Sequence, residues 1–141
     1  MNCPEMPALL VIKLAHSIAL DMERRLKNYG VTMPQWTLLK QLWQQEGRSQ
    51  VELQELLGLD KATITGLVQR MSQMELIQRR TDPLDKRVQR VFLTAQGRAL
   101  EQITTALVEE VNAHALADFS ADERDFFLRL LARAFYNSAE R

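Results

Sequence analysis

Apolar residues recur along this chain at the spacing of helices, and one short stretch alternates instead. The spacing predicts helices over residues 6–28, 34–45, 50–57, 61–73, 95–117 and 121–138. Residues 87–93 alternate between polar and apolar side chains, and with residues 77–80 they predict a β-hairpin whose tip is TDPLDK. The predicted fold class is therefore mainly α with one small β-hairpin.

Local signals mark where several of these helices begin and end. Three pairs have capping-box spacing: Thr32 with Gln35, Ser49 with Glu52, and Ser120 with Glu123. Asp60 and Thr94 are further N-cap candidates, and Gly58 falls where a tight turn separates two helices. The order of helix, turn, helix and hairpin over residues 49–94 predicts a winged helix-turn-helix, with long helices before and after it.

The helix over residues 61–73 has one apolar and one polar side. The apolar residues are predicted to face inward: Ile64, Leu67, Val68 and Met71. The polar side bears groups that contact base edges and phosphates in a major groove: Lys61, Thr63, Thr65, Gln69 and Arg70. Ser49 and Gln50 begin the preceding helix and are expected to contact a phosphate, although Ser49 also suits a cap. A merely solvated helix face is the alternative, and the hairpin that follows favours DNA.

The hairpin adds a cluster of charged residues. Asp85 precedes Arg87 by two residues, so its carboxylate is placed to orient the guanidinium for insertion into a minor groove. Lys86 is expected to contact a phosphate, and Asp82 and Pro83 to shape the turn. Residues 60–90 hold seven cations and four acids, whereas residues 101–141 hold four cations and eight acids. The formal net charge of zero therefore conceals a basic segment on an acidic body.

Both ends of the chain carry more apolar surface than a small winged module can bury. In the first helix these residues are Leu9, Ile12, Ala15, Ile18, Ala19 and Met22, and near the C-terminus they are Leu116, Phe119, Phe126, Phe127, Leu130, Leu131, Phe135 and Tyr136. We expect them to pack against a second copy in a homodimer, with an intramolecular bundle as the alternative. One domain is predicted over residues 1–141, with a DNA-binding part at about 32–98 and a helical dimerisation part at about 5–29 and 99–138.

Composition and residue types argue against several classes of protein. The chain is 46% hydrophobic and 26% charged, which indicates a globular protein, and it lacks an apolar run of transmembrane length. We expect a cytoplasmic protein with no membrane partner. Cys3 is the only cysteine, and neither His16 nor His114 has a second ligand-type residue at metal spacing. Without a phosphate loop or a catalytic triad, we predict no enzyme activity, no cofactor and no metal site.

Residues 49–94, preceded by MPQWTLLKQL, resemble the MarR/SlyA family of bacterial transcription regulators. The most specific part is DPLDKR followed by VFLTAQGRAL, and the flanking long helices extend the likeness over most of the chain. The resemblance implies a homodimeric repressor that binds double-stranded DNA at a pseudo-palindromic operator. It also implies that Arg87 enters the minor groove with support from Asp85. A winged-helix module for protein–protein contact without DNA binding is the alternative.

The resemblance further implies release from DNA by a small aromatic or phenolic effector, bound between the dimerisation helices and the winged module. Candidate contacts are His16, Met33, Trp36, Leu39 and Trp43, although a tryptophan stripe is more often core. Some relatives sense peroxide through a cysteine in the first helix, but Cys3 precedes that helix and has no basic neighbour. Glu75 stands where many members have glycine, so a left-handed backbone there would cost about 1 kcal/mol.

Overall fold

The computed structural model describes residues 6–139, so Cys3 lies outside the described residues. Its elements are α1 (Pro7–Lys27), α2 (Met33–Gln44), β1 (Arg48–Ser49), α3 (Gln50–Leu57), α4 (Lys61–Gln73), β2 (Ile77–Thr81), β3 (Gln89–Leu93), α5 (Ala95–Ala115) and α6 (Ala121–Ala139). The predicted helices and the hairpin are confirmed. Over residues 6–139 no helix is both long and apolar enough to cross a membrane.

The predicted helix caps form as hydrogen bonds. Thr32 Oγ1 accepts the Gln35 N–H at 3.3 Å, and Gln35 Oε1 accepts the Thr32 N–H at 3.0 Å, which completes a capping box. Ser120 and Glu123 make the same reciprocal pair before α6. Caps of this kind stabilise a helix by about 1 kcal/mol each, so Ser, Thr, Asp and Asn are preferred at N-cap positions. This preference explains why the helix starts could be predicted from the sequence.

The core lies between the sheet and helices α1 to α5, and Met22 and Leu26 are the buried residues of α1. The predicted inward side of α4 is confirmed, since its four apolar residues are at most 3% exposed: Ile64, Leu67, Val68 and Met71. Strand β3 is the central strand, and its Val91 and Leu93 are buried on the core side, with Ile77 of β2 opposite Leu93. Burying an aliphatic side chain of this size stabilises the fold by about 1.5–3 kcal/mol.

Strand β1 is an element that the hydrophobic pattern did not predict. It has only two residues, Arg48 and Ser49, which pair with Val91 and Arg90 of β3. Two residues are too few to show an alternating pattern, and the strand exists only because the chain returns to it about forty residues later. It fixes the N-terminus of α3 to the root of the hairpin.

The turn from α4 into β2 contains a backbone conformation that favours glycine. Glu75 has φ +62°, and among residues 6–139 it is the one non-glycine residue with positive φ. Its N–H donates to the carbonyl of Ser72, and the Leu76 N–H donates to the carbonyl of Met71. The left-handed conformation expected from the missing glycine is therefore present, and the turn forms despite its cost.

Glu75→Gly is expected to raise the free energy of unfolding by about 1 kcal/mol, because glycine adopts this φ without a steric penalty. Urea unfolding followed by circular dichroism measures the difference. Gln73→Gly, at the exposed last residue of α4, is the matched control and should instead lower stability by about 1 kcal/mol. Equal losses from both substitutions would contradict a strained Glu75.

The two ends of the chain leave a large apolar surface uncovered. Helix α6 spans 19 residues and buries none of its side chains, with Phe126, Phe135 and Tyr136 about 60% exposed. The first turns of α1 are also exposed, from Leu9 to Ile12. Side chains of α1 and α6 together line an open groove of about 750 Å³. This surface contains most of the apolar residues predicted for a dimer interface, but Met22 of that set is 3% exposed in the core of its own chain, so its assignment to the interface is wrong.

Candidate nucleic-acid interface

Helix α4 is held in place by a tight turn and by its own N-cap. Gly58 ends α3 with φ +64°, and the Asp60 carboxylate accepts the Thr63 N–H at 2.7 Å. This hydrogen bond to Thr63 is the main reason that the pKa of Asp60 lies below its usual value. An ionised cap at the helix N-terminus is favoured by the helix dipole, so the start of α4 is well defined.

The polar side of α4 is accessible, as a helix that reads DNA requires. Four of its five predicted contact residues are exposed: Lys61, Thr63, Gln69 and Arg70. Thr65 is half-buried, and its Oγ1 accepts a hydrogen bond from Gln50 Nε2 at 3.1 Å. Gln50 therefore connects the start of α3 to the middle of α4. Gln50 and Thr65 were predicted as DNA contacts independently, and this hydrogen bond shows that they are neighbours.

Ser49 has a structural role in this arrangement. It is 8% exposed, and its Oγ accepts the Glu52 N–H at 3.0 Å. The N-cap predicted for α3 is thus confirmed, but the return bond from the Ser49 N–H to the Glu52 side chain, which a capping box requires, is absent among residues 6–139. The small accessible area leaves little room for a phosphate, so its DNA contact stays a prediction with less support than that of Gln50.

The wing is the hairpin formed by β2, β3 and the turn between them, and Arg87 projects from its tip. The Arg87 side chain is 90% exposed. Asp85 Oδ1 accepts hydrogen bonds from the Arg87 backbone N–H at 3.1 Å and from Nε at 3.2 Å, and Oδ2 accepts one from Nη2 at 3.4 Å. A two-pronged contact of this kind restricts the guanidinium to few orientations. The predicted support of Arg87 by Asp85 is present.

Asp82 shapes the turn, as predicted. Its Oδ1 accepts the N–H groups of Leu84 at 2.7 Å and Asp85 at 3.3 Å. The pKa of Asp82 is lowered first by the hydrogen bond from Arg90 and next by the one from the Leu84 N–H. Both bonds favour the ionised carboxylate, so the turn is built around a fixed negative charge.

Three further arginines of the wing contribute positive charge, but the sequence indicated no individual role for them. Arg79 and Arg80 are exposed on edge strand β2, and the Arg80 guanidinium lies 4.5 Å from the centre of the Phe92 ring. Arg90 is half-buried and bonds to Asp82 and to the Gly47 carbonyl. The Gly47 contact spans 43 residues of sequence, so no local pattern indicated it.

The five candidate effector contacts do not form one site. Leu39 is fully buried in the core, so it offers no surface to a ligand and its assignment is corrected to a core residue. Trp36 and Trp43 line an open cavity of about 280 Å³ between α2 and α5, whose lining includes neither His16 nor Met33. His16 is exposed on α1, and Met33 packs against the core.

The two tryptophans of this cavity differ in their hydrogen bonding. Trp43 Nε1 donates to the Gly97 carbonyl of α5 at 2.9 Å, whereas the buried Trp36 Nε1 has no hydrogen-bond partner within residues 6–139. Lys40 Nζ lies 4.0 Å from the centre of the Trp36 ring. Among the described residues, no group of three or more acidic, histidine or cysteine side chains is arranged to hold a metal ion.

Comparison with known proteins identifies the class of protein. A model of the MarR family matches residues 31–88. The chain is 30% identical to the transcriptional regulator HosA of Escherichia coli O111:H- over 103 residues, which is 73% of this chain and 76% of that protein.

Two solved structures show the same architecture. A probable transcriptional regulator from Pseudomonas aeruginosa is 33% identical with a TM-score of 0.75, over 92% of this chain and 97% of that one. The apo form of MarR from E. coli superimposes with a TM-score of 0.86 over 94% of this chain and 98% of that one, at 22% identity. On this evidence the chain belongs to the MarR family and is a winged-helix, DNA-binding regulator of transcription.

Proposed function

We propose that the chain represses transcription as a homodimer on a pseudo-palindromic operator. In this proposal α4 lies in the major groove and the wing reaches the adjacent minor groove with Arg87. The observation that supports it most is the 90% exposed Arg87 side chain, held at the wing tip by both oxygens of Asp85. A cation fixed in this way and presented on a narrow hairpin suits the negative potential of a minor groove.

The uncovered apolar surface of α1 and α6 supports the homodimer. Exposed apolar side chains from both ends of the chain surround an apolar groove of about 750 Å³, and a contiguous exposed apolar surface of this kind marks sites of protein–protein contact. The proposal requires a two-fold axis through this surface that sets two copies of α4 about one helical turn of DNA apart, which is the spacing of a pseudo-palindrome.

The proposed function is tested by fluorescence anisotropy of the purified protein on DNA from upstream of its own gene and on scrambled DNA. We expect tight binding to the upstream DNA that weakens linearly on a logarithmic salt scale, because Lys and Arg displace counterions from phosphates. Equal, weak binding to both DNAs would count against a sequence-specific operator in that region. No binding at low salt would favour a module for protein–protein contact.

Arg70→Ala or Thr65→Ala is expected to relax base preference by about 1–3 kcal/mol at one position of each half-site, because each removes a side chain from the exposed or half-exposed side of α4. Sequencing of DNA selected from a random pool measures the change. Lys61→Ala is the control, since loss of a phosphate contact should weaken binding to all sequences alike. Unchanged base preference in the Arg70 and Thr65 variants would contradict the assignment of α4.

We also propose that a small aromatic or phenolic effector binds at the cavity of Trp36 and Trp43 and releases the operator. The rings of Trp36 and Trp43 supply aromatic surface to this cavity, and the bond from Trp43 to Gly97 links the cavity to α5. Titration with salicylate, followed by tryptophan fluorescence and by operator anisotropy, is the test. Quenching that Trp36→Phe weakens, together with loss of DNA affinity, is expected. If salicylate lowered the DNA affinity of the Trp36→Phe variant as much as that of the wild type, the effector site would lie elsewhere.

A further inference from the structure

The wing contains two ion pairs of different character. Asp85 and Arg87 are both accessible, with side chains 41% and 90% exposed. Asp82 and Arg90 are more protected, with side chains 12% and 37% exposed, and their Oδ2–Nε distance is 2.6 Å. A short pair that is partly shielded from water keeps its geometry better than a more exposed one, because solvent and salt screen it less.

Arg90 is also bonded outside the wing. Its Nη1 donates to the carbonyl oxygen of Gly47 at 2.8 Å, in the turn between α2 and β1. Gly47 adopts φ +78°, and its own N–H donates to the Val91 carbonyl at 2.9 Å. The guanidinium of Arg90 therefore bridges the wing turn and the α2–β1 turn, and its charge is already paired with Asp82.

The Asp82 carboxylate divides its two oxygens between separate tasks. Oδ2 accepts the bond from Arg90, and Oδ1 accepts the N–H groups of Leu84 and Asp85. Asp85 in turn holds the guanidinium of Arg87. A continuous series of hydrogen bonds thus leads from the Gly47 carbonyl to Arg87, and we call the part formed by Gly47, Arg90 and Asp82 the wing clamp.

We propose that Asp82 and Arg90 are positioning residues, which hold the wing tip and Arg87 in the orientation used on DNA. This inference rests on the proposed function. A hairpin tip that is already ordered in the free protein loses less conformational freedom on binding, so affinity increases without a new contact to DNA. Arginine suits the role because its rigid fork reaches a carboxylate and a carbonyl at once, which an ammonium group cannot reproduce.

Two substitutions distinguish the effect of the wing clamp from the effects of disrupting the turn and of removing a positive charge. Asp82→Asn retains an oxygen for the N–H groups of Leu84 and Asp85 but turns an NH₂ group toward Nε of Arg90, so it opens only the clamp. Arg90→Lys keeps the positive charge and loses the fork. The matched control is Arg79→Ala, which removes an exposed cation from β2, a strand of the same wing.

Operator affinity is measured by fluorescence anisotropy at two salt concentrations, with thermal unfolding of each variant as the check on folding. Asp82→Asn and Arg90→Lys are each expected to weaken binding by about threefold to tenfold, because the wing tip must then be ordered on binding. The salt dependence should stay that of the wild type, since neither residue is placed on a phosphate. Arg79→Ala should leave the wing clamp intact, so any loss of operator affinity in this variant would reflect only the removal of one exposed cation.

A double-mutant cycle with Arg87→Ala distinguishes positioning from general stabilisation. If Asp82 acts through Arg87, then Asp82→Asn should change affinity by less than about twofold once Arg87 is absent. The inference would be overturned if Asp82→Asn weakened binding as much in the Arg87→Ala background as in the wild type, or if it had no effect in the wild type. Either result would leave the proposed function standing. If Arg87→Ala itself left operator affinity unchanged, the proposed use of the wing would fail and this inference with it.

Discussion

Arg87→Ala is expected to weaken operator binding by about 2–6 kcal/mol for the proposed dimer, because each of its two wings would lose the proposed groove contact of about 1–3 kcal/mol. At tenfold for each 1.4 kcal/mol, even the lower figure corresponds to about a 30-fold increase in Kd. The side chain is 90% exposed, so its removal opens no cavity and should leave the stability of the fold unchanged.

The measurement is anisotropy on an operator duplex together with thermal unfolding. Asp85→Ala should show a smaller loss than Arg87→Ala, because the guanidinium remains but is no longer held by a carboxylate. Arg79→Ala serves as the control for charge alone. If the Arg87→Ala and Arg79→Ala variants lost operator affinity equally, Arg87 would act as one cation among several. The proposal that it inserts into the minor groove would then be wrong.

Phe135→Glu is expected to convert the proposed homodimer to a monomer and to abolish operator binding at ordinary protein concentrations. Phe135 is 66% exposed and lines the apolar groove between α1 and α6. In a two-fold interface the substitution occurs twice, so loss of about 2 kcal/mol of apolar burial per copy weakens association by about 4 kcal/mol. This corresponds to roughly a thousandfold, before the cost of burying a carboxylate is added.

Sedimentation velocity over a range of concentrations measures the oligomeric state. Leu56→Glu is the matched control, because Leu56 is 50% exposed on α3 and does not line the groove. It should leave the oligomeric state unchanged. A Phe135→Glu variant that remains dimeric would show that the groove is not the interface, whereas one that is monomeric yet binds the operator with full affinity would contradict the need for a dimer.

The features that could be predicted from the sequence are those that depend on neighbours along the chain. Asp60 caps a helix through Thr63, three residues away, and Asp85 holds Arg87, two residues away. The inward side of α4 follows from helical periodicity alone. The family pattern, which has glycine at the position of Glu75, indicates what a left-handed backbone there would cost, and the structure shows that Glu75 adopts it.

The features that could not be predicted depend on residues far apart in sequence. Strand β1 forms only by pairing with Val91 and Arg90, and the contact of Arg90 with the Gly47 carbonyl joins residues 43 positions apart. Leu39 lies on the same helix as Trp36 and Trp43, and nothing in its local spacing shows that it is fully buried while the tryptophans border a cavity. Such outcomes are decided by tertiary packing, which periodicity does not specify.

Helix α6 has a consequence for the protein in the cell, because it buries none of its side chains against residues 6–139. A 19-residue helix with few packing contacts is marginal in water, so a newly synthesised subunit would present its aromatic rings until it met its partner in the proposed homodimer. If the proposed homodimer is the functional form, the amount of functional regulator would rise more steeply than in proportion to synthesis, because pairing depends on the concentrations of both subunits. A small change in expression of the gene would thereby produce a larger change in operator occupancy.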